Sequence, residues 1–155
     1  MGTIGSVIAP GAKLGLMYAE RLLNGITPDN YAKFAKPGGV TVASNHLAFV
    51  LGHLSLYPQR VLQNLGQPIG PTAVPAAYDA LFKAGVECQD DPDGRIYPKL
   101  DELKARFFDG YRAAIAAVEA AIAAGRGGVG ELGKLIAAHV ISRPSPAVVA
   151  LLPGG

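Results

Sequence analysis

The longest apolar stripe in this chain runs from Leu100 to Ile122. Its large apolar residues recur three or four positions apart, with charged residues between them. That spacing is the period of an amphipathic α-helix, which must bury one face against other elements. The stripe consists of Leu100, Leu103, Phe107, Tyr111, Ile115, Val118 and Ile122. We therefore predict a helix over residues 98–123 and an all-α fold packed around it.

Two more long helices are predicted earlier in the chain. One covers residues 8–24, where apolar residues again repeat at helical spacing. Another covers residues 45–65, with Ser44 or Asn45 as its N-cap. Pro58 lies inside this second helix and should kink it just after His53, because proline lacks a backbone N–H donor. The apolar residues of the first helix are Leu14, Met17, Tyr18 and Leu22.

Shorter elements are expected to link these helices. Cap and turn residues predict short helices over residues 28–34 and 76–83. Residues 1–124 are expected to form the helical core. The segment 125–155 is rich in Gly, Ala and Pro, and each glycine costs a helix about 1 kcal/mol relative to alanine. This segment is therefore predicted to hold only a weak fourth helix, over residues 131–141.

Composition excludes several classes of protein. The net charge is +2, and Lys and Arg form no run, so no nucleic-acid partner is expected. No stretch of 18 consecutive apolar residues is present, so no membrane span is expected. Cys88 is the only cysteine and cannot form an internal disulfide, which favours a reducing, cytoplasmic setting.

The chemistry-bearing residues of the second helix are two histidines, His46 and His53, seven positions apart on one helical face. Histidines inside a helix bundle are common metal ligands, and His53 follows Gly52, which would let a neighbouring helix approach closely. The alternative is a packed or capping histidine that only makes hydrogen bonds. Seven residues of helix span about 10 Å, so His46 is expected to be structural or to support the site.

The direction of His53 follows from the phase of its helix. The apolar residues expected to mark the buried side are Leu47, Val50, Leu54, Val61 and Leu65. His53 falls within this arc and is predicted to face the interior. A buried imidazole needs a partner, so it should contact a metal ion, a water molecule or a hydrogen-bond acceptor.

Acidic residues cluster between the second helix and the last one. Glu87, Asp90, Asp91 and Asp93 lie in a turn-forming segment. They could reach the mouth of a bundle, but their spacing lacks the EF-hand pattern, and a solvated turn is the expected structure. Cys88 has no neighbouring Lys or Arg that would favour its thiolate.

Several segments resemble the DinB/YfiT-like superfamily in their order and spacing. The strongest is Asn45–Leu54, which is similar to a second helix that ends in a Gly-His pair with a metal-binding histidine. Gly15–Leu23, Val86–Pro92 and Phe107–Arg112 are also similar to one branch of this family. Together the resemblance spans roughly residues 8–122.

The resemblance implies a four-helix bundle of the up-down-down-up type that is often dimeric. It also implies a divalent metal, zinc or nickel, held by one histidine of the second helix and a His-x-x-x-His pair of the fourth. His53 matches the position of the first ligand. No such pair follows residue 123, where His139 is the only histidine. The fourth helix is therefore expected to be short or degraded.

Two functions follow from the resemblance. The first is a metal-binding protein related to metal-dependent thiol transferases and hydrolases, with a small-molecule substrate or thiol cofactor. Its candidate ligands are His53 and His139, with His46 in support. The alternative is a non-catalytic bundle of the same fold, whose histidines are structural and which acts through dimerisation. A homodimer is expected in either case.

Overall fold

Helices dominate the computed structural model, which describes residues 5–129. The weak helix predicted over 131–141, with His139, lies outside these residues. Within the described part, Ala35 and Val42 form one isolated bridge and there is no sheet, so the all-α prediction is confirmed there. The α-helices are α1 (Gly5–Leu22), α2 (Leu47–Leu54), α3 (Tyr57–Asn64), α4 (Ala77–Phe82) and α5 (Leu100–Val129). Short 3-10 turns cover Pro37–Gly39 and Gly70–Thr72.

Helix α5 is the element on which the others pack. It contacts α1, α2 and α3, and the buried residues of its apolar stripe include Leu103 and Phe107. The predicted helix is confirmed, but it continues to Val129, past the expected boundary after residue 124. Alanine-rich sequence precedes the glycines, and alanine has the highest helix propensity. The cost of each glycine therefore weakens this end of α5 without terminating it.

Ion pairs show the direction of α1 relative to α5. The Lys13 ammonium lies 2.6 Å from the Glu119 carboxylate, and the Arg112 guanidinium lies 3.4 Å from that of Glu20. From Lys13 to Glu20 the residue number on α1 rises, while that of the partner on α5 falls from Glu119 to Arg112. The two helices are therefore antiparallel. These pairs are exposed and each contributes at most about 1 kcal/mol.

The pair α2–α3 runs in the same direction as α5. Leu54 lines a cavity together with Phe107, and Val61 lines another together with Ile115. Between these two levels Pro58 packs against Gly110. A Cβ atom on that glycine would lie 3.2 Å from the Pro58 ring, so glycine permits the close approach. The bundle therefore has one helix antiparallel to α5 and one helix pair parallel to it.

The predicted second helix is two helices rather than one. The chain bends at Ser55 and Leu56, and α3 then begins at Tyr57 with Pro58 in its first turn. A proline is tolerated there because the first-turn N–H groups have no partner within the helix. The interruption at Ser55 and Leu56 thus lies just after His53, where Pro58 was predicted to kink the helix, and it divides the predicted helix into two.

The prediction of the buried face of α2 is right only in part, since Leu47 and Leu54 are half-buried against the core. Val50 is exposed, whereas the buried residues of α2 are Ala48, Phe49, Leu51 and Gly52. Five consecutive apolar residues begin α2. A helix that is apolar on every side has no contrast from which a buried face can be assigned. The predicted phase therefore missed the side that carries Phe49 and Leu51.

Helix α1 is confirmed, but the apolar residues that predicted it are exposed. Leu14, Met17, Tyr18 and Leu22 keep between 42% and 79% of their surface accessible. The side of α1 that packs against the core carries Ala9, Leu16, Ala19 and Leu23. Helix α1 therefore carries apolar side chains on a wider part of its surface than the other described elements bury.

The two short helices predicted in the connections have different outcomes. Residues 28–34 form hydrogen-bonded turns, in which Tyr31 N–H donates to the Thr27 carbonyl and Asn30 Oδ1 accepts from Thr27 N–H. A single helical turn is therefore present where a short helical turn was predicted, but it does not extend into a helix. The helix predicted over residues 76–83 is present as α4. No helix in the described residues is both long and apolar enough to cross a membrane.

Candidate functional site

His46 caps the N-terminus of α2. Its Nδ1 accepts a hydrogen bond from Phe49 N–H at 3.3 Å, and its Nε2 lies 2.8 Å from the Gln89 carbonyl oxygen. A carbonyl only accepts, so the proton is on Nε2 and Nδ1 is free to serve as the cap. The predicted cap at Ser44 or Asn45 is therefore corrected to His46. Both of its ring nitrogens are in use.

The ring of His46 is also tightly enclosed. Only 8% of the residue is accessible, and the Tyr97 ring meets it edge-on with centroids 4.9 Å apart. The Tyr97 hydroxyl in turn accepts a hydrogen bond from Gln89 N–H at 2.9 Å. Burial raises the pKa of this hydroxyl. His46 thus joins α2 to the segment around Gln89, which is the structural role predicted for it.

His53 forms a hydrogen bond with the C-terminal end of α4, whereas His46 caps the N-terminal end of α2. Its Nδ1 lies 2.6 Å from the carbonyl oxygen of Phe82, the last residue of α4. Carbonyl groups in the last turn of a helix have no partner within that helix, so the imidazole N–H of His53 supplies one. In the neutral ring, Nε2 then accepts from the Tyr57 hydroxyl, 3.1 Å away.

Gly52 brings α4 within reach of His53. A Cβ atom at this position would overlap the ring of Phe82, which is fully buried. The expected close approach of a neighbouring helix at Gly52 is thus present, and the approaching helix is α4. His53 itself is half-buried rather than enclosed, and its predicted need for an acceptor is met by a backbone carbonyl.

Of the three predicted metal ligands, His46 and His53 lie in the described residues. Their rings are directed to different backbone carbonyls, that of Gln89 for His46 and that of Phe82 for His53. In residues 5–129, no three side chains of His, Cys, Asp or Glu are grouped so that they could hold a metal ion. His139 lies outside these residues.

The acidic segment contains a buried carboxylate. Asp91 is 3% accessible and accepts backbone hydrogen bonds from Arg95, Ile96 and Tyr97 at 2.8–3.1 Å. Burial by itself would raise the pKa of Asp91, but these N–H donors outweigh it and lower the pKa below its ordinary value. The prediction of a solvated turn is therefore wrong for Asp91.

Asp90 also has a structural partner. One of its oxygens accepts from Phe34 N–H at 2.8 Å, and the other lies 3.7 Å from the Lys36 ammonium. Glu87 and Asp93 are exposed, as expected for a solvated turn. Sequence reasoning identified this segment as a turn but missed its role, which is to hold two distant stretches of chain together through backbone donors.

The capping role of His46 leads to a test. His46→Ala should lower the free energy of unfolding by more than about 1 kcal/mol, the typical cost of losing an N-cap, because the buried ring and its hydrogen bond to the Gln89 carbonyl are lost as well. Urea denaturation measures the change. The matched control is Asn45→Ala, which alters the neighbouring exposed residue and should leave stability unchanged. Equal effects of the two substitutions would contradict the assignment of the cap.

Comparisons with protein-family models, with curated proteins and with solved structures found no match to this chain.

Proposed function

We propose that this chain is a DinB-like helical bundle protein whose histidines are structural and which acts through association as a homodimer. The observation that carries the proposal is the use of all four ring nitrogens of His46 and His53 within the protein. A metal ligand needs a nitrogen lone pair that is free to coordinate. Only the Nε2 of His53, which faces the Tyr57 hydroxyl, comes close to that condition.

The directions of the helices support the DinB-like part of the proposal. Helix α1 runs one way, while α2–α3 and α5 run the other way, as the ion pairs and shared cavities indicate. This order is up, down and down, which is the beginning of an up-down-down-up bundle. The exposed apolar side chains of α1 support association, because apolar surface of this kind marks interaction sites.

A second candidate function is a metal-binding protein, with zinc or nickel at His53 and with a small-molecule substrate or thiol cofactor. The hydrogen bond from Nδ1 to the Phe82 carbonyl favours it. Ligating histidines usually donate their other ring N–H to such a group, which orients Nε2 towards the metal. One histidine is too few for a zinc centre, which takes three or four protein ligands, so His139 and a further donor would have to join it.

Metal analysis separates the two candidates. The full chain is incubated with zinc or nickel and dialysed, and the metal content is measured by mass spectrometry. We expect less than stoichiometric metal in the parent and no change in His53→Ala. Size-exclusion chromatography with light scattering should give the mass of a dimer.

The second candidate predicts a different result. One metal ion per chain that is lost in both His53→Ala and His139→Ala, with a smaller loss in His46→Ala, would establish the second candidate and exclude the first. A monomeric mass at micromolar concentration would exclude association as the function.

A further inference from the structure

A cavity of about 600 Å³ lies between the C-terminal end of α1 and the first turns of α5. Residues between Met17 and Asn24 form one wall, and Lys104 and Phe108 belong to the other. Sites for small molecules have volumes of about 300–1,000 Å³ and combine apolar walls with a few polar groups that orient the ligand. The size of this cavity is suitable, so the chemistry of its walls decides what it binds.

Part of each wall is apolar. Met17 and Leu23 line the cavity on one side, and Phe108 lines it on the other. Phe108 belongs to the buried core and Leu23 packs against that core, so both side chains are held in place. Met17 is 42% accessible. An apolar ligand would cover the exposed surface of Met17, and removing such surface from water is favourable.

Two cations, one on each wall, favour an anionic ligand. Arg21 lies in the last turn of α1, and Lys104 lies in the second turn of α5 and is half-buried. Neither side chain forms an ion pair with a carboxylate of residues 5–129. The Arg21 guanidinium lies over the Tyr18 ring, 5.9 Å from its centroid, a contact that leaves the N–H donors at its edge for a ligand. A half-buried cation has lost part of its hydration, so a bound anion stabilises it.

The cavity also has a carboxylate in its wall, that of Glu20. It lies 3.4 Å from the Arg112 guanidinium, which stands over the Phe108 ring at 5.5 Å from its centroid. Asp109, the other partner of Arg112, does not line the cavity. Arg112 therefore offsets the charge of Glu20, and the charges of Arg21 and Lys104 remain for a ligand.

We propose that this cavity binds a small amphiphilic carboxylate. Its carboxylate lies between Arg21 and Lys104, and its apolar part packs against Met17, Leu23 and Phe108. None of the described lining residues is a histidine, so the site is separate from that of His53. The proposed homodimer can coexist with it, because the α1 residues that line cavities elsewhere stay available for association. These residues are Ile8, Tyr18 and Leu22.

Titration calorimetry of the full chain with three probes tests the chemistry of the ligand. Decanoate has both a carboxylate and an apolar chain, decanol lacks the charge, and acetate lacks the chain. We expect one decanoate per chain and at least about tenfold weaker binding of decanol and of acetate, because each lacks one of the two contributions. If decanol or acetate bound as tightly as decanoate, or if decanoate did not bind, the proposal would be overturned.

Variants without one of the two charges test the position of the site. Arg21→Gln and Lys104→Gln should each weaken decanoate binding at least about tenfold, whereas Lys104→Arg keeps the charge and should retain binding. The matched control is Lys83→Gln, which removes a charge from an exposed lysine outside the cavity and should bind like the parent. Circular dichroism checks that every variant is folded. Equal binding by all of these proteins would place the ligand elsewhere and refute the site.

Vesicles distinguish a free carboxylate from a lipid surface. The parent should stay in the supernatant when anionic phospholipid vesicles are sedimented. Sedimentation with vesicles that Arg21→Gln and Lys104→Gln abolish, together with no binding of decanoate, would assign the two cations to a membrane surface and overturn the proposal. The outcome is independent of association, because a monomeric mass would exclude the proposed dimer and leave decanoate binding intact.

Discussion

Replacing Asp91 with Ala should lower the free energy of unfolding by about 3 kcal/mol or more. The substitution leaves three backbone N–H groups without their acceptor, the buried one of Tyr97 and the part-buried ones of Arg95 and Ile96, and an unsatisfied buried donor costs about 1–3 kcal/mol. Urea denaturation measures the loss. Asp93→Ala is the matched control, because Asp93 lies in the same turn and is exposed. Its effect should stay within about 0.5 kcal/mol.

The same carboxylate should make stability depend on acid. The pKa of Asp91 is lower in the folded protein than its ordinary value of 3.8, so the folded state favours the ionised form. Its contribution is therefore fully present above that ordinary value and is lost as the pH falls through the lower, folded-state pKa. The stability difference between the parent and Asp91→Asn should shrink below about pH 4. A difference that stays constant down to pH 2 would contradict the assignment.

Gly52→Ala is expected to lower the free energy of unfolding by about 1–3 kcal/mol, the usual cost of overpacking a core. The new methyl group would overlap the ring of Phe82, which is 0% accessible and packs against Phe49, Tyr78 and Tyr97. The ring cannot move aside without disturbing these neighbours. Thermal or urea unfolding of the purified variant measures the change.

Gly15→Ala is the matched control for this prediction. Both glycines are helical, but a Cβ atom at Gly15 meets no atom within 4 Å. Alanine should therefore leave stability unchanged or raise it by up to about 1 kcal/mol, through its better helix propensity. If both substitutions stabilised the protein equally, the close packing of α4 on α2 would be refuted.

Local periodicity predicted the helices well where polar and apolar residues alternate. Helix α5 has charged residues opposite its apolar stripe, so both its existence and its buried face follow from the sequence. Helix α2 lacks that contrast, and only its packing against α4 and α5 decides which side is buried. The exposed face of α1 could not be foreseen either, because its circumference is apolar on more than one side.

The partners of the functional candidates depend on contacts between distant parts of the chain. His53 reaches a carbonyl 29 positions away, and His46 reaches one 43 positions away. Asp91 N–H donates to the Ala32 carbonyl, and this pairing encloses a carboxylate that its own turn sequence would leave in water. The residue types were identified from the sequence, but their hydrogen-bond partners required the fold.

The contact between Lys13 and Glu119 joins residues 106 positions apart, and this separation matters during synthesis. At about 5–20 residues per second, translation needs roughly 5–20 s to proceed from one to the other. Throughout that interval α1 has been made but the helix against which it packs has not. A ribosome that pauses before Leu100 therefore presents an unpaired apolar helix to chaperones, proteases and neighbouring nascent chains.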